Sequence, residues 1–117
     1  TAALVGYPYV AAYCAAKHGL VGLTRALALE FAATRVTVNA VCPGWVATAM
    51  ADAAIARIAA KTGRDTTAAR GALESMSPQR RLVEPDEVAA GVAMLCGHGA
   101  RGIHGQTLVI DGGQVMK

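Results

Sequence analysis

Residues 35–44 read Arg-Val-Thr-Val-Asn-Ala-Val-Cys-Pro-Gly, and this stretch decides the architecture. Positions 35–41 are a short β-branched run with apolar residues on both faces, the pattern of a buried parallel strand, and Cys42-Pro43-Gly44 ends it. Upstream, residues 10–33 hold no proline, are rich in Ala and Leu and have few β-branched positions, which predicts a long helix. At roughly 100° per residue, Leu20, Leu23, Leu27 and Phe31 gather on one side of that helix. Ala15, Gly19, Gly22 and Ala26 gather almost opposite. A helix apolar on both sides is expected to be covered on both sides. Its small-residue stripe would admit another helix closely, a second subunit being a natural candidate.

Downstream, residues 44–50 read as a loop and 51–76 as two helical pieces broken at Gly63, with Ile55, Ile58 and Leu73 facing inward. Residues 77–84 are irregular. Residues 85–97 form a marked helix: Pro85 suits its first turn, Asp86 and Glu87 its positive end, and Val88, Val92 and Leu95 the core. Residues 106–110 predict a final strand before the turn Asp111-Gly112-Gly113. This order gives an α/β fold with two parallel strands joined by a helical crossover. Two such strands leave faces and edges needing cover, so the pattern is expected to belong to a larger sheet. Residues 1–9 read as a loop.

The composition excludes several classes. With 54% hydrophobic and 16% charged residues, the chain is too apolar for disorder. Glycines and charges interrupt every apolar run short of the ~18 residues that would span a bilayer, and no secretory signal is expected. Eleven Lys and Arg against 8 Asp and Glu are scattered, and 4% aromatic residues are too few for base stacking, against a nucleic-acid partner. Cys14, Cys42 and Cys96 are far apart with no CxxC pair. That pattern argues against a disulfide framework or a metal site and fits the cytoplasm.

Two motifs carry chemistry. Tyr13-Cys14-Ala15-Ala16-Lys17 opens the long helix, and a spacing of four puts phenol and ammonium on one face. A free tyrosine titrates near 10. One unit charge at ~4 Å, in an effective dielectric of about 20, is worth ~4 kcal/mol, or roughly three pKa units. That is enough to make Tyr13 a general acid or base near neutral pH. The spacing equally suits a surface tyrosine stacked on a lysine stem, and alone it leaves both open. Pro43-Gly44-Trp45-Val46-Ala47-Thr48 leaves the strand at the end where α/β sheets hold ligands, or is an ordinary Pro-Gly strand exit.

The combination of YxxxK, VTVNAVCPGWVATAM, EPDEVA and GQTLVIDGG, in this order and spacing over almost the whole chain, resembles the short-chain dehydrogenase/reductase family. The resemblance implies the C-terminal half of a doubly wound, Rossmann-like parallel sheet. It also implies hydride exchange between NAD or NADP and an alcohol or carbonyl. By it, Tyr13 is the proton donor or acceptor, while Lys17 lowers the phenol's pKa and holds the nicotinamide ribose hydroxyls. Pro43, Gly44, Val46 and Thr48 face the cofactor, Val46 through its backbone and Thr48 through its hydroxyl near the phosphates. The 10–33 helix joins subunits of a homo-oligomer. Stretch 49–76 is placed as the substrate lid, most similar to members acting on 3-hydroxyacyl or 3-oxoacyl thioesters.

The sequence departs from the family where it lacks partners for these groups. The family's serine falls immediately ahead of Thr1, and its asparagine, glycine-rich phosphate loop and ribose selector have no counterpart, so NAD and NADP are not distinguished. The expectation is a truncated form, inactive alone; the alternative is a non-catalytic fragment that acts only in subunit association. Gly97, Gly99 and Gly102 spell GxGxxG, but after a helix and before a strand, the wrong context for a phosphate loop. Asn39, polar in mid-strand, is expected to bridge neighbouring backbone. His98 and His104 are expected in solvent, Arg80 and Arg81 in solvent rather than against an anionic substrate tail, and Cys14 in a core or interface.

Overall fold

The computed structural model describes residues 1–116. Its helices are α1 (Ala11–Phe31), α2 (Ala49–Thr62), α3 (Thr66–Glu74) and α4 (Pro85–Cys96), and its strands β1 (Ala40–Pro43) and β2 (Thr107–Ile110). The strands pair in parallel, Ala40 opposite Thr107 and Pro43 opposite Ile110, with α2, α3 and α4 in the crossover between them.

Each boundary has a local cause. Gly63 takes a left-handed conformation (φ 70°) and ends α2, its N–H returning to the Ala59 carbonyl, as a glycine C-cap does. The Asp65 carboxylate accepts from the Ala68 N–H at 2.7 Å and starts α3. At α4, Glu84 and Glu87 form a reciprocal capping box with Pro85 in the first turn.

Four expectations need correction. The strand forecast at 35–41 is found at Ala40–Pro43, because Thr107–Ile110 offers only four paired positions. Ahead of it, the Gly105 N–H donates to the Val38 carbonyl at 2.8 Å and side chains do the rest: Asn39 donates to the Ile103 carbonyl at 2.8 Å and accepts from the Gln106 N–H at 3.0 Å. This is the backbone bridge expected of a mid-strand asparagine. His104, expected in solvent, is half-buried. Its Nδ1 accepts from the Val38 N–H at 3.0 Å, which leaves Nε2 to donate to the Ala28 carbonyl at 2.6 Å. Since the Ala32 N–H turns to Leu29, the imidazole serves a carbonyl at the fraying end of α1.

The face of α1 also differs. Its buried residues are Cys14, Val21 and Ala28, with Lys17 and Thr24 half-buried between them. Leu20, Leu23 (53% exposed), Leu29 (81%) and Phe31 lie open instead. Spacings of three and four align the buried set in one narrow seam, and its small members let α1 lie close on β1. On α4, Val88 and Leu95 are half-buried, but Val92, expected in the core, is exposed. A Cβ on Gly91 would meet the Ile110 side chain at 2.5 Å, so the helix closes on β2 through a residue with no side chain. One core cluster joins Ala3, Val21 and Cys42; the other joins α2 and α3 through Ala51, Ile55, Ala69, Leu73 and Leu82. No helix among the described residues is long and apolar enough to cross a membrane.

Candidate active-site cleft

Tyr13 sits in the first turn of α1 and Lys17 one turn on, so both project from the same side. The Lys17 ammonium lies over the phenol ring, 5.3 Å from its centre, within the range of a cation–π contact. Tyr13 is 51% exposed. Both line a cleft of about 1040 Å³ whose wall also includes Pro43, Gly44, Val46 and Thr48. All six residues singled out from the sequence therefore meet on one surface.

The loop is fixed from behind. Gly44 extends the β1 ladder, its N–H donating to the Ile110 carbonyl at 2.9 Å. A Cβ there would stand 2.9 Å from the Asp111 Cβ and 3.0 Å from its Cα. The glycine is required by this close crossing of two chain segments, whatever binds in front. Buried Asp111 accepts from the N–H groups of Gly113 at 2.9 Å and Val115 at 2.7 Å, holding its own turn. Val46 bridges to Val83, but the two bonds belong to its neighbours: Val83 N–H to the Trp45 carbonyl, and Ala47 N–H to the Val83 carbonyl. The Val46 N–H takes no part in that bridge. Thr48 caps α2 without a side-chain bond to it, its hydroxyl donating to the Val46 carbonyl at 3.3 Å.

Sequence reasoning missed several wall residues. The Tyr7 hydroxyl donates to Thr1 Oγ1 at 2.9 Å and accepts from Gln114 Nε2 at 2.7 Å, tying the two ends of the chain together at the cleft. Met50 and Met76 supply apolar side chains from α2 and from just beyond α3. Trp45 joins the cleft to the α2–α3 cluster. A methionine or tyrosine in a loop or lid carries no spacing signal, which is why these were silent. The ion pair of the region lies elsewhere. Arg81 gives two bonds to Glu87, at 2.6 and 2.7 Å. Together with a bond from the Glu84 N–H, these hold the Glu87 carboxyl down to about 2.

Comparison with known proteins gives a consistent picture. The chain is 40% identical over 118 residues to the D-beta-hydroxybutyrate dehydrogenase of Cupriavidus necator, covering 100% of this chain and 46% of that one. It is 44% identical over 108 residues to a putative ketoacyl reductase of Streptomyces coelicolor, covering 92% and 41%. Among solved structures, a variant of actinorhodin polyketide ketoreductase with NADPH superposes with a TM-score of 0.90 at 43% identity, covering 96% of this chain and 43% of that one. A short chain dehydrogenase family protein from Francisella tularensis gives 0.92 at 30% identity, covering 97% and 47%. The chain thus spans less than half the length of these relatives. The family model described as Enoyl-(Acyl carrier protein) reductase matches residues 1–114. With that match and the superposed fold, this chain belongs to the short-chain dehydrogenase/reductase family.

Proposed function

We propose that this chain supplies the proton-transfer and nicotinamide-facing half of an NAD- or NADP-dependent oxidoreductase that interconverts an alcohol and a carbonyl. The observation that carries the reading is the convergence of Tyr13, Lys17 and the Pro43–Thr48 loop on one cleft. The residues present fit a nicotinamide end. The Val46 N–H, unused in its bridge to Val83, is available to a carboxamide, and Lys17 reaches from the helix toward ribose hydroxyls. A bound nicotinamide would supply or accept the hydride. Tyr13 would exchange a proton with the substrate oxygen, with the Lys17 ammonium held beside its ring. The half-exposed phenol has open space in front of it for that oxygen. Pro43, Gly44 and Thr48 would hold the cofactor side of the cleft. The ketoacyl reductase and hydroxybutyrate dehydrogenase relatives favour a 3-oxoacyl or 3-hydroxyacyl compound, a thioester included.

Tyr13→Phe tests the assignment in the active enzyme. Turnover followed by NAD(P)H absorbance should fall by roughly 10²–10⁴ with cofactor affinity kept, whereas Lys17→Ala should reduce both. Near-normal turnover by Tyr13→Phe would remove the proposal. A second reading, association without catalysis, draws on the open apolar face of α1 at Leu20, Leu23 and Phe31. In the oxidoreductase that face would join subunits of a homo-oligomer.

A further inference from the structure

A second cavity, of about 400 Å³, lies where the chain enters β1 and where α4 ends. The cleft with Tyr13 opens around Pro43 and beyond, at the other end of that strand. The polar groups lining the second cavity are those of Arg35, Thr37, Asn39, Cys96, His98 and Arg101, and among the described residues no carboxylate borders it. Arg35 and Arg101 are exposed and neither joins an ion pair, so two like charges share one wall and repel. The negative end of α4 sets only about half a unit charge against them, and the positive sign wins. Arg101 Nη2 stands 3.3 Å from His98 Nδ1. A guanidinium only donates, so Nδ1 accepts and the imidazole N–H is left on Nε2. Asn39 is already occupied by Ile103 and Gln106. The Gly97 N–H turns back to the Met94 carbonyl, so the donors here are side chains and not a glycine loop.

We propose that this cavity is a second binding site, separate from the cleft, for a phosphate monoester with a small apolar body. Guanidinium forks match phosphate oxygens with two parallel bonds each, and a dianion balances both arginines where a monocarboxylate balances one. The apolar body lies against Val41, Val92 and Leu95, which complete the wall. That gives the exposed Val92 of α4 a partner. The volume is within the range of small-molecule sites.

The 117-residue chain is titrated with phenyl phosphate, inorganic phosphate, benzoate and benzyl alcohol, by calorimetry and by backbone amide shifts. The buffer holds about 0.15 M salt, where exposed charges are screened beyond ~8 Å. Phenyl phosphate should bind at least about threefold tighter than inorganic phosphate, from its apolar ring, and about tenfold tighter than benzoate, from its second charge. Benzyl alcohol should bind least. Amide shifts should gather at residues 35–39 and 97–101 and leave 44–48 unmoved. Arg35→Gln and Arg101→Gln, both at exposed positions, should keep the circular dichroism of the wild type and each weaken phenyl phosphate about fivefold. Lys17→Ala should leave its binding unchanged. Equal affinity in wild type and in the variant carrying both arginine changes, or no detectable binding by wild type, overturns the proposal. Loss on Lys17→Ala with shifts at 44–48 would move the ligand to the cleft and overturn it too. Benzoate binding as tightly as phenyl phosphate would remove the phosphate class.

Discussion

Substituting Gly44 by alanine separates the two reasons a glycine can stand in the loop that leaves β1. The added Cβ would sit 2.9 Å from the Asp111 Cβ, 3.0 Å from its Cα and 3.4 Å from Gln114 Oε1. Two of these atoms belong to a residue whose carboxylate is tied to two backbone N–H groups, so the neighbour cannot rotate away and one chain segment must move. Overpacking of this kind costs about 1–3 kcal/mol, which for a chain of this length lowers Tm by roughly 3–6 °C per kcal/mol. Gly19→Ala is the control: nothing lies within 4 Å of its Cβ, and alanine in a helix interior gains about 0.5–1 kcal/mol. Urea denaturation followed at Trp45, which adjoins Gly44, should show a lowered midpoint for Gly44→Ala and a raised one for Gly19→Ala. A Gly44→Ala midpoint equal to wild type would refute the account of Gly44 as a close crossing over Asp111 and return its explanation to ligand approach alone.

Other outcomes follow from single contacts. His104→Ala leaves the Val38 N–H and the Ala28 carbonyl without their partner, a loss of about 1–3 kcal/mol; amide exchange at Val38 should accelerate, and unchanged protection would contradict the assigned ring bonds. Glu87, held down to about 2 from 4.5 by Arg81, stabilises the fold fully above its unfolded value and ceases to do so as pH falls through about 2. Denaturation midpoints of wild type and Glu87→Gln should therefore differ at pH 6 and converge in acid, with a constant difference excluding the linkage. The 117 residues alone should bind NADH more weakly than micromolar, since no strand-to-helix glycine turn occurs in them to receive the pyrophosphate; micromolar binding by NADH fluorescence would contradict this.

The parts of the fold legible in the sequence are those that repeat or punctuate. The helix stop at Gly63 and the helix start at Pro85 are set by local residues, and they fall where the chain alone dictates. The length of β1 is a property of a pair: Val36 and Val38 have strand propensity, yet residues pair in register only where Thr107–Ile110 lies alongside, Val38 keeping a single backbone bond from Gly105, and propensity cannot supply a partner. The seam of α1 misled for a related reason. Hydrophobic patterning gives most weight to Leu20, Leu23 and Phe31, whereas the sheet accepts Cys14, Val21 and Ala28 because close approach selects small side chains. A large apolar residue on a helix marks only a surface that water does not favour, and says nothing about whether the covering element belongs to the same chain.

The cleft divides along the same line. Tyr13 and Lys17 were legible because a helix converts a spacing of four into a shared face, and the Pro-Gly exit because it ends a strand. Met50, Met76 and Tyr7 come to the wall through the crossover and the turn at residues 1–9, over separations that no local pattern encodes. The residues proposed to carry the chemistry are therefore readable from spacing, while those that shape the rest of the wall are not. Tyr7 shows the mechanism: Gln114, 107 positions away, fixes its hydroxyl, so the shape of the wall beside Thr1 depends on how β2 delivers the end of the chain. The shape of this wall is a consequence of packing, and a change at Gln114 should alter it without touching the Tyr13 phenol.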